Sequence, residues 1–106
     1  MEVTISDFTK LDIRIGTVIE SSRKKGSDKL IRLIVDFGKE KRTIFTALYP
    51  LYQAKYFKGK QFVFLINLKE RKMLDEYSMG MLLAANGNPP ILLKPAVKSI
   101  NGARIC

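Results

Sequence analysis

Between residues 10 and 20 apolar and polar side chains alternate, with Leu11, Ile13 and Ile15 on one parity and Asp12 and Arg14 on the other. That two-residue period predicts a first strand with one buried face. Gly16 inside it predicts a bulge or sharp bend, the device by which small barrels carry a strand from one sheet into the next. Residues 21–28 are charged and contain Gly26, so they predict a turn. Residues 30–37 form a β-branched run closed by Gly38, and the turn Gly38-Lys39-Glu40-Lys41 leads into a third strand at 42–47.

Residues 48–57 break the alternation. Leu51 and Ala54, with Tyr52 and Tyr56, fall at helical spacing after Pro50, which a first helical turn tolerates, and so predict a short helix. The compact apolar run at 61–67 and a second at 78–85 predict strands four and five, separated by a charged link at 68–77. Beyond them come the turn Asn86-Gly87-Asn88-Pro89-Pro90, a short strand at 91–94 and an apolar pair around Ile105. Five strands with a helix between the third and fourth is the arrangement of the OB-fold, an all-β, partly open barrel whose strand face and loops bind oligonucleotides and oligosaccharides. The expected organisation is one domain over residues 1–106, with a core at 8–85 and an extension at 86–106. Ile91, Leu92, Leu93, Val97, Ile100 and Ile105 give that extension more apolar surface than the barrel needs, and a second subunit is one way to cover it.

A hydrophobic share of 46% and a charged share of 27% fit a water-soluble globular domain, and no run approaches the ~18 apolar residues of a membrane span. Residues 1–11 have neither a basic start nor an apolar core, so no secretory leader is predicted and a cytoplasmic location is expected. The single cysteine, Cys106, cannot form an internal disulfide. Histidine, the commonest general base and metal ligand, is absent. No catalytic, metal or cofactor site is therefore predicted, although an acidic pair assembled by the fold would escape a sequence reading.

Charge changes the picture more than composition does. Residues 1–20 carry a net −2, residues 21–60 carry eleven bases against three acids, and residues 61–106 add +3, with Lys69, Arg71 and Lys72 grouped, for a total of +9. Such a field attracts polyanions, nucleic acid or anionic lipid. A lysine-rich surface tuned for solubility or a hot habitat gives the same count.

The run Phe8-Thr9-Lys10-Leu11-Asp12-Ile13-Arg14-Ile15-Gly16-Thr17-Val18 resembles the opening of the tRNA-binding domain family. That family includes a C-terminal module of methionyl-tRNA synthetases, free-standing tRNA-binding proteins and a domain related to endothelial monocyte-activating polypeptide. Four further blocks follow in family order: Asp28-Lys29-Leu30, Arg42-Thr43-Ile44, Asn67-Leu68-Lys69 with Lys72-Met73, and Ser78-Met79-Gly80-Met81-Leu82-Leu83-Ala84-Ala85. The resemblance spans nearly the whole chain. It implies an OB-fold, homodimerisation through the C-terminal extension, and non-catalytic binding of tRNA by shape and backbone. The implied role is a free-standing module or the β subunit assisting a methionyl-tRNA synthetase, with no cofactor and no membrane. A dimeric, chaperone-like protein-interaction module of the same family is the alternative.

The tRNA-binding candidates that the resemblance implies are Lys29, Arg42, Asn67, Lys69, Lys72, Ser78 and Met81, to which charge alone adds Arg71. Lys and Arg meet phosphates, Asn and Ser bond riboses or base edges, and a Met packs on an unstacked base. Each also has a structural use: Lys29 and Lys72 as solvated lysines, Arg42 paired with Asp36 or Glu40, Ser78 bonding a strand-end backbone group, Met81 in the core. The sequence departs from the family where Lys24-Lys25-Gly26-Ser27 replaces a His-Pro-type turn, where Ala47 replaces glycine, and where Leu74-Asp75-Glu76 adds two negative charges near Lys69 and Lys72.

Overall fold

The computed structural model describes residues 1–106. Its strands are β1 (Ile13–Arg23), β2 (Ile31–Asp36), β3 (Lys41–Thr46), β4 (Gln61–Leu65), β5 (Arg71–Met73), β6 (Glu76–Ser78), β7 (Met81–Leu82), β8 (Ala84–Ala85) and β9 (Ile91–Leu92). Five of them form one antiparallel sheet in the order β3-β2-β1-β4-β7. The sheet nearly closes into a barrel, because Met79 N donates to Thr43 O across the gap between its edges. This is the expected OB-type barrel.

Closure depends on β1. Residues 13–17 pair with β4 and residues 17–23 with β2, so one long strand serves both halves of the barrel. The bulge that lets it turn lies between Val18 and Glu20, not at Gly16. Gly16 instead permits close packing, since a Cβ there would stand 2.5 Å from Val35 Cγ1 and 2.7 Å from Phe37 Cε1. On β2 the alternation is clean, with Ile31, Leu33 and Val35 buried. They meet Val18, Ile44, Phe57, Phe62, Phe64 and Leu82 in the core.

The helix expected at 48–57 is reduced to a 3-10 turn, Ala54–Tyr56. Tyr52, Ala54 and Tyr56 do pack against the core as their spacing predicts, but Leu51 is exposed and no longer ladder forms. Strand five is broken as well. Gly80, at φ +150, passes within 2.9 Å of Leu65 O at its Cβ position, which separates β6 from β7. The charged link at 68–77 is itself a hairpin, β5–β6. At the N-terminus a short helix, Ile5–Phe8, carries a capping box in which Thr4 Oγ1 accepts from Asp7 N and Asp7 Oδ2 accepts from Thr4 N.

The tail returns to the barrel. β9 pairs with β8, and Gly102 N and Ile105 N donate to Ile15 O and Ile13 O while Ile15 N donates to Ala103 O, an edge laid along β1. Leu92 packs on the core, but Ile91, Leu93, Val97 and Ile100 remain exposed. No helix is long and apolar enough to cross a membrane.

Candidate nucleic-acid interface

The β1–β2 turn and the β5–β6 hairpin meet at one end of the barrel. Gly26, at φ +88, lets the first turn tighten, and Ser27 Oγ accepts from Lys29 N and Leu30 N at 3.2 and 3.0 Å. The hairpin turns on Leu74-Asp75, with Leu74 at φ +63. Leu74 Cδ1 lies 3.6 Å from where a Cβ on Gly26 would stand, so the two tips lie side by side.

What holds the hairpin is an ion cluster. Lys24, only 8% exposed, donates to Asp75 Oδ1 at 2.5 Å and to Glu76 Oε1 at 2.7 Å, and its ammonium lies 5.6 Å from the Phe45 ring centroid. Arg32 Nε reaches both Glu76 oxygens at 3.1 Å. The hydrogen bond from Lys24 is the main cause holding both carboxyls below their usual range, and the bonds to Asp75 and then Glu76 raise the Lys24 ammonium above its own. The two acids that the sequence sets beside Lys69 and Lys72 are thus engaged with Lys24 and Arg32, and they dock the hairpin over the outer face of β2 and β3.

Four of the eight sequence candidates remain exposed here without an ion pair: Lys29 on the turn, Lys69 just before the hairpin, and Arg71 and Lys72 on β5. Tyr77, 53% exposed, sits opposite Lys72 in the β5–β6 register, which places both side chains on the same face of the hairpin. Arg71, opposite Ser78, belongs to the other face of the hairpin. A cation beside an exposed ring suits a phosphate backbone with an unstacked base against it. Sequence reasoning missed Tyr77; only the register of the hairpin puts it beside Lys72.

The other four candidates are placed differently. Arg42 Nε donates to Glu40 at 2.7 Å, and its Nη1 donates to Ile66 O and Met79 O at 2.7 and 3.0 Å, so the guanidinium ties the barrel edges together. Ser78 is 1% exposed. Its Oγ accepts from Phe45 N and donates to Gly80 O, each at 3.0 Å. Asn67 is exposed, yet its amide accepts from Asp12 N and donates to Lys10 O. Met81 is half-buried on β7, paired with Leu65.

The chain is thus an OB-type barrel that presents cations on the turn after strand one and on the loop between strands four and five, the loops through which this fold class binds oligonucleotides and oligosaccharides. Residues 13–104 match the family model described as "Putative tRNA binding domain", and the chain belongs to that family. It is 42% identical to methionine--tRNA ligase of Archaeoglobus fulgidus over 99% of its own length and 39% identical to that of Nitrosomonas europaea over 97%. It spans only 16% and 15% of those two proteins. A MetRS-related protein from Pyrococcus horikoshii superposes with TM-score 0.90 at 34% identity, each chain covered in full. The chaperone CsaA from Bacillus anthracis also superposes with TM-score 0.90 and full coverage of both chains, at 26% identity.

Proposed function

We propose that this chain is a non-catalytic tRNA-binding module that recognises the shape and backbone of tRNA, acts in the cytoplasm as a homodimer, and assists a methionyl-tRNA synthetase, free-standing or as its β subunit. The observation that carries the proposal is the pairing of Lys72 with the exposed Tyr77 on one face of the β5–β6 hairpin, with Lys29 and Arg71 exposed on the same two loops, through which this fold binds nucleic acid. Lys69 extends the same cationic edge. Arg42, Ser78 and Asn67 act by holding the strands beneath, since their polar groups are already bonded within the protein. A bound module of this kind raises the local tRNA concentration for a catalytic partner without performing chemistry.

Dimerisation is supported by the extension at 86–106. Ile91, Leu93, Val97 and Ile100 stand 59%, 39%, 79% and 84% exposed on a segment otherwise tied to the barrel, and a second copy covers such a strip. The same strip supports the alternative of a protein-interaction module, the class that the similarity to CsaA suggests. Competition between folded tRNA and a single-stranded RNA of equal length decides between them. The tRNA module prefers the folded RNA; equal binding to any RNA, or binding only to unfolded polypeptide, contradicts the proposal.

A further inference from the structure

Around Thr17, midway along β1, lies a second concentration of positive charge that the hairpin site does not use. Thr17 lies six residues before Arg23 on β1, a separation of at most about 20 Å at ~3.3 Å per residue. There a cavity of about 650 Å³ opens between the end of the barrel and the 94–101 segment, and Lys60, Lys94 and Lys98 rim it. The floor is a fixed polar network. Gln61 holds Ser99 in both directions, accepting from its N–H and donating to its carbonyl, each at 2.8 Å. Asn101 Oδ1 accepts from Thr17 Oγ1 at 2.6 Å and from Gln61 Nε2 at 3.1 Å. The Asn101 amide nitrogen, on the wall of the same cavity, donates to no protein acceptor.

Two of the three cations are held against aromatic rings, and none of the three has a counterion. Lys60 Nζ donates to Tyr56 O at 2.6 Å and lies 4.4 Å from the Tyr56 ring centroid. Lys94 Nζ approaches the same ring at 5.3 Å and Phe62 at 5.8 Å. Two ammonium groups thus share one aromatic ring, and none of the protein's ion pairs includes Lys60, Lys94 or Lys98. No Asp or Glu occurs between residues 41 and 69 or from 77 to 106, and the acid that the register sets beside this end, Asp36 opposite Thr17, accepts from Gly38 N. Converging like charges repel, and an anion supplied from outside relieves them.

We propose that the Lys60–Lys94–Lys98 basin is a second phosphate-backbone site, engaged by the same RNA that docks on the β5–β6 hairpin. This rests on the tRNA-binding proposal above and requires the second copy seated on the apolar strip, whose Val97 also lines the basin, to leave the three ammonium groups open. The ligand is a phosphodiester: its oxygens accept from the three ammonium groups and from the free Asn101 amide. A backbone crossing the barrel meets cations at the β5–β6 hairpin and again at this basin.

The test uses the full chain and bulk tRNA across a salt series, comparing wild type with K60Q/K94Q/K98Q and with K60R/K94R/K98R. Three lost phosphate contacts lower the slope of log affinity against log salt by roughly 2–3, at ~0.7–0.9 per contact, and low-salt affinity falls more than tenfold. The arginine variant keeps both. K94Q/K98Q, which leaves Lys60 on Tyr56, lowers the slope by roughly 1.4–1.8 and covers the case in which the triple variant folds poorly. Unchanged slope and affinity in K94Q/K98Q overturn the proposal, as does a change of solution mass in that variant, which assigns the lysines to self-association instead. Failure of the wild type to bind tRNA at all sinks the tRNA proposal itself, a distinguishable result.

Discussion

Replacing Ser78 by alanine separates a structural residue from a contact residue at a position where sequence and structure point different ways. Ser78 Oγ accepts from Phe45 N on the outward side of β3, and it returns its own proton to Gly80 O. At 1% exposure no water can take its place. Removing the hydroxyl leaves one buried N–H and one carbonyl without this partner, a cost of about 1–3 kcal/mol for the unsatisfied donor. For a domain of this size that lowers Tm by on the order of 5–20 °C. The assay is thermal melting by circular dichroism, paired with tRNA binding at a temperature where both proteins are folded. Ser78→Ala should melt early and bind normally, while Arg71→Ala should melt normally and bind weakly. A Ser78→Ala variant that melts with the wild type and loses affinity would place the hydroxyl against RNA and refute the assignment.

Gly16→Ala should lower stability by about 1–3 kcal/mol through overpacking, read as a lower urea midpoint, since its new methyl meets Val35 and Phe37 well inside contact distance; an unchanged midpoint would mean that the crossing of β1 is looser than described. The docking of the β5–β6 hairpin should depend on pH at both limits. Asp75 and Glu76 have lowered values when folded, so their contribution is complete above the ordinary carboxylate range near ~4 and fades as pH falls through the depressed values. Lys24 has a raised value, so its contribution holds below the ordinary lysine value near ~10.4 and is lost as pH climbs through the raised one. Urea midpoints from pH 2 to 6 should show a shallower acid limb in D75N/E76Q than in wild type, and identical limbs would remove the cluster from the stability account. Substituting Val97→Asp with Ile100→Asp should convert a dimer to a monomer by light scattering; a wild type that is already monomeric contradicts the proposed dimer. This is a cleaner test than truncation, because the tail also bonds β1 through Gly102, Ala103 and Ile105.

The barrel was legible where burial is one-sided. The alternation in β2 and the apolar run of β4 set their strands nearly to the residue, because a one-residue slip would turn every side chain to the wrong face. Residues 48–57 were less legible: helical spacing marked which side chains reach the core but not that only one short turn would form. The break at Gly80 depends on the carbonyl of Leu65, a neighbour that local sequence does not name. The Thr4-to-Asp7 capping box was readable at its three-residue spacing and was not anticipated. At the candidate site, residue type singled out Arg71, Lys72, Lys29 and Lys69, and the Arg42–Glu40 pair and a backbone bond from Ser78 were also legible, whereas the other partners of Arg42, Ser78 and Asn67 lie 24 to 57 residues away in sequence. Charge counting also set Asp75 and Glu76 against Lys69 and Lys72, because it could not see that Lys24 and Arg32 hold them.

The central claim is that Arg71 and Lys72, on a hairpin docked by Lys24, carry tRNA phosphates. The measurement that tests it most directly is the salt dependence of tRNA binding by wild type and R71A/K72A. Loss of two phosphate contacts predicts a slope smaller by roughly 1.4–1.8 with melting unchanged. An identical slope and affinity in the two proteins would contradict the claim.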